Sequence, residues 1–109
     1  MMSAEEQPSQ EVQKRFVAAF GFEPTAERHS VTRTIEQEIV MRVVAGFRDS
    51  LGYHLQELQK LVNNAFPSSD LLELRGRVEG QEIAIAHERA VVRDLECLAN
   101  AYGFRTSTL

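Results

Sequence analysis

Residues 61–80 read LVNNAFPSSDLLELRGRVEG. The centre of this stretch holds turn signals, with Asn63, Asn64, Pro67, Ser68 and Ser69 crowded ahead of Asp70. Pro67 has no N–H to give a helix interior and its ring clashes with the preceding turn, so it ends a helix arriving from upstream. Asp70 then offers a side-chain oxygen to the free N–H groups of a new helix. Glu73, three residues on, gives the pattern of a capping box with Asp in the capping role. On both sides of this break apolar residues recur at helical spacing. The reading is therefore all-α: two long helices joined by a short turn.

Upstream, the first long helix is expected to start near Ser30 or Thr32, with Thr32 a candidate N-cap, and to run to about Asn64. Ile35 departs from the Glu or Gln a capping box would place there. Val40, Val44, Phe47, Leu51, Leu58, Leu61 and Ala65 follow a heptad rhythm if His54 fills the missing step. A second stripe, Ile35, Ile39, Val43, Leu55 and Val62, lies beside it. Downstream, a helix from Leu71 to about Tyr102 carries Leu71, Leu74, Val78, Ile85, Val92, Leu95, Ala99 and Tyr102 in one heptad phase. Gln81 and Glu88 fall on the same seam, and Ile83, Val91 and Leu98 widen it.

Each long helix spans about 48 Å at the usual rise per residue. A short connection makes them antiparallel. That register sets Leu51 against Ala84, Val44 against Val91 and Val92, and Val40 against Leu95. It also sets His54 against Gln81, a polar layer able to fix the register through a hydrogen bond. Glu88 falls opposite Phe47 and near Arg48; a lone buried carboxylate is costly, so it needs water or an arginine. Gly76, Gly80 and Ala84 share one face, read either as tolerated glycines or as places where another backbone approaches closely.

Met1 to residue 8 is expected to be flexible, and residues 9–104 to form a single helical domain. Within it Ser9 caps a short helix through about Phe20, whose stripe is Val12, Phe16, Ala19 and Phe20. Gly21 supplies a left-handed end with Phe22 behind it, and Phe22 to Val31 is a loop. Ala101-Tyr102-Gly103-Phe104 closes the last helix in the same manner as Ala19-Phe20-Gly21-Phe22, by shared capping chemistry and not as a repeat. Arg105 to Leu109 is expected to fray. A helix of about 12 residues spans only about 18 Å and cannot cover both broad faces of the long hairpin. The remaining apolar area is expected to be covered by another copy of the chain or by a different protein.

Composition excludes several functions. The 109 residues hold 16 acidic and 12 basic side chains, a net charge of −4, against a protein built to grip phosphate backbones. Arg75, Arg77, Arg89 and Arg93 are interleaved with Glu73, Glu79, Glu82, Glu88, Asp94 and Glu96, and read as a solvated face with i,i+4 pairs. One cysteine makes no internal disulfide. Cys97 lies late in a helix, away from the helix start that would favour a thiolate, and reads as a partly buried structural thiol. His29, His54 and His87 lack the Glu-x-x-His spacing of helical di-iron sites, so no metal or other cofactor is expected. No Gly-rich phosphate loop and no nucleophile elbow is present, which leaves no catalytic residue and no small-molecule substrate. Met1 to Gln10 lacks the features of a secretory leader, and no apolar run is long enough to span a bilayer, so the cytoplasm is the expected compartment.

The run Leu71-Leu72-Glu73-Leu74-Arg75-Gly76-Arg77-Val78-Glu79-Gly80 resembles a pattern of small α-helical phage virion and assembly proteins. In these a Leu-rich turn precedes Gly-Arg, an apolar residue and another small residue. The resemblance implies a helical virion or assembly component, located in the particle if phage-encoded, and transfers no catalytic residue.

The expected function is thus a non-enzymatic, self-associating structural or assembly protein. Its interface is expected on Ile39, Val43, Phe47, Leu51, Leu55 and Leu58 of one long helix and Val78, Ile85, Val92 and Leu95 of the other. His54 and Gln81 form the polar layer of the hairpin. The alternatives are a small acidic adaptor that masks a partner protein, and a nucleic-acid-binding accessory protein.

Overall fold

The computed structural model describes residues 8–26, 30–64 and 70–107. The expected flexible stretch at 1–7, His29, the turn at 65–69 with Ala65 and Pro67, and residues 108–109 lie outside the described residues. The described chain is all-helical, with α1 at Gln10–Phe20, α2 at Val31–Asn63 and α3 at Leu71–Ala101. It divides into two compact units, residues 1–45 with 93–109, and residues 46–92.

In the first unit the helix ends follow from side chains that satisfy free backbone groups. Ser9, with extended backbone, accepts from the Val12 N–H at 3.2 Å and starts α1. Gly21, at φ +82°, ends it by donating its N–H to the Val17 carbonyl at 2.8 Å. Thr32 is not the cap of α2. Ser30 Oγ accepts from the Arg33 N–H at 3.0 Å, and the helix is already formed at Val31. The reason is positional: a side-chain acceptor serves the N–H three residues on, and Ser30 is the residue that stands outside the first turn.

The two glycine endings differ in detail. Gly103, at φ +77°, donates to the Asn100 carbonyl at 3.0 Å, and Phe104 donates to the Ala99 carbonyl at 3.0 Å. This is the paired Schellman closure, whereas α1 closes through the single bond of the simpler left-handed motif. The extra bond turns the chain sharply and drives Phe104 inward, where it is 2% exposed.

Phe16 is the hub of this unit and is fully buried. Its ring centroid lies 4.7 Å from Phe20, 4.9 Å from Tyr102, 5.3 Å from Phe22 and 5.8 Å from Phe104. The pair with Phe20 is tilted, those with Tyr102 and Phe22 are edge-on and that with Phe104 is stacked; such pairs add about 0.5–1.5 kcal/mol each beyond the area they bury. Val40, Val44, Leu95, Leu98 and Ala99 complete the core.

In the second unit the seam has fewer neighbours. Asp70 caps α3, accepting from the Leu72 N–H at 3.0 Å and the Glu73 N–H at 3.3 Å. Glu73 turns its carboxylate to Arg77 at 2.9 Å, so the acidic residue of the expected capping box serves an i,i+4 ion pair. Ile85 and Val92 are buried, while Leu51, Leu58 and Val78 are half-buried and Phe47 and Leu55 exposed. Burial follows the number of packed segments. The first unit brings three helical segments and a ring cluster together; the second has only two helical segments, and two helices cover one face of each other.

Candidate interaction surface

The first turns of α2 hold the segments that flank the other helices of the first unit. Arg33 donates to the backbone carbonyls of Tyr102 and, at 3.5 Å, of Thr25. Its guanidinium carbon lies 3.7 Å from the centroid of the Phe104 ring, a cation–π contact. Glu36 is buried, and its two carboxylate oxygens lie 3.0 and 3.2 Å from the Thr25 N–H that donates to them. Gln37 accepts from the Arg105 N–H at 2.9 Å and donates to the Arg105 carbonyl at 2.8 Å. Arg105, expected to begin a fraying tail, is therefore held at both of its backbone groups. Sequence reasoning missed this cluster, because nothing in the local pattern says which backbone atoms return to residues 33–37.

Arg15 of α1 is paired with Asp94 of α3. Its bond to that carboxylate, and then the carboxylate's charge, push the guanidinium pKa further up. Both side chains are about half exposed, so the pair adds little to stability.

The polar layer expected at His54 and Gln81 is present in the second unit. His54 Nδ1 lies 3.0 Å from Gln81 Oε1. With the amide oxygen as acceptor, Nδ1 carries the hydrogen. Glu88 has one carboxylate oxygen, Oε2, buried with no hydrogen-bond partner among the described residues. Of the other groups weighed for chemistry, Cys97 is exposed, contrary to the partly buried thiol expected, because its side chain points away from the Leu95, Leu98 and Ala99 face. His87 is on the surface. Among the described residues no three His, Cys, Asp or Glu side chains gather in a way that could hold a metal ion. No described helix is long and apolar enough to cross a membrane.

The expected interface residues separate into three sets. Ile85, Val92 and Leu95 are buried within their own chain and offer no free surface. On α2, Ile39 in the first unit and Phe47 and Leu55 in the second are 36–39% exposed. Val43, Leu51 and Leu58 of α2, and Val78 of α3, are half-buried. In the first unit Ile39 and Val43 are four apart and so neighbours on the helix surface, and in the second unit Phe47, Leu51 and Leu55 are likewise four apart. Ile35 and Val62 add exposed apolar area on the same helix. On α3 the large exposed apolar residues lie outside the expected interface set: Leu71, expected on the seam, is 70% exposed, Leu72 81% and Ile83 71%. Leu72 and Ile83 lie on the helix face turned away from Ile85 and Val92, together with Gly76 and Gly80. A Cβ built on either glycine meets nothing within 4 Å. No described part of the chain uses the close approach those glycines permit.

Comparison with family models, with curated proteins and with solved structures gave no match.

Proposed function

We propose that this chain is a non-enzymatic helical protein that self-associates as a structural or assembly component. The observation that carries this reading is the set of large apolar side chains left open on α2, with Ile35, Ile39, Phe47, Leu55 and Val62 all exposed. Apolar area in water costs about 25 cal/mol per Å², and apolar side chains left open on one helix are a surface for a second copy of the same chain to cover. The finer architecture in this reading is an antiparallel hairpin of α2 and α3. The His54–Gln81 contact supports it within the second unit, as does a cavity of about 450 Å³ lined by both Leu61 and Leu74. A contact between 54 and 81, with residues near 61 and near 74 lining one cavity, fits two helices running in opposite directions. The resemblance at Leu71–Gly80 points the assembly role toward a virion component, working in the host cytoplasm or in the particle.

Light scattering or sedimentation at micromolar concentration tests the proposal. The expected mass exceeds the 12.3 kDa of one chain. Phe47→Asp combined with Ile39→Asp returns the protein to that mass with its helical circular dichroism intact, since both positions are already partly in water. A single-chain mass at every concentration overturns the proposal. One stoichiometric foreign chain retained from the native host, with no self-association, replaces it with the adaptor reading.

A further inference from the structure

We draw no further inference here: the strongest candidate, the outer face of α3 where Gly76 and Gly80 lie between exposed Leu72 and Ile83, carries nothing beyond the self-association already proposed, because nothing in the structure shows what covers it.

Discussion

Gly21 and Gly103 occupy the same left-handed backbone region, yet their surroundings differ. A Cβ at Gly21 meets nothing within 4 Å, whereas one at Gly103 lies 3.3 Å from Arg33 Nη2. Alanine at either site takes the backbone penalty of about 1–2 kcal/mol for a left-handed L-residue. At Gly103 it also presses on the guanidinium that holds the Tyr102 carbonyl and covers the Phe104 ring. Gly103→Ala should therefore lower the denaturation midpoint more than Gly21→Ala, measured side by side in urea; equal losses would show that Arg33 yields without cost. Tyr102 gives a second prediction at this scale. Burial raises its pKa above the usual value near 10. A folded pKa above the unfolded one means that its contribution is complete below about pH 10 and lost as pH climbs through the folded value. Phenolate absorbance should then titrate later in the folded protein than in its unfolded chain. Tyr102→Phe should remove that part of the alkaline loss of stability.

At the scale of elements, α2 and α3 carry interior glycines that their own chain leaves in open space. Gly76 and Gly80 have ordinary helical backbone and no neighbour at the Cβ position. Replacing each with alanine should stabilise α3 by about 1 kcal/mol, through helix propensity and a less disordered unfolded state. Thermal unfolding of the single and double variants checks this. A loss of stability, or a loss of association with unchanged helix content, would instead mean that a second chain packs against those glycines. The helix starts were largely legible, because a cap is a local device: Ser9 and Asp70 lie at the positions their residue type predicts. Of the two expected starts of α2, Ser30 and not Thr32 is the cap: both residue types can cap, and the backbone is already helical at Val31. Glu73 reads as a capping-box residue in sequence, but Arg77 one turn later competes for the same carboxylate and holds it.

For the molecule as a whole, charge and apolar area make different predictions for the proposed association. A net charge of −4 is small for a chain with 16 acidic and 12 basic residues, and its charges are largely interleaved. On the proposed self-association, assembly should therefore hold or strengthen when salt is raised from 0.05 to about 0.5 M, because screening weakens charge pairs and leaves apolar burial in place. Steep weakening over that range, read by sedimentation, would favour the acidic adaptor, whose partner is chosen by charge. Periodicity and capping chemistry, written in neighbouring residues, were sufficient to determine three helices, most of their ends and the pairing of His54 with Gln81. Spacing along a helix tells which residues share a face, but not how many other segments lie against it. That is why Phe104 and Glu36 prove buried, Cys97, Phe47 and Leu55 prove exposed, and Arg105 is tied to Gln37. Each of these outcomes depends on contacts between residues far apart in the chain, and no local pattern records them.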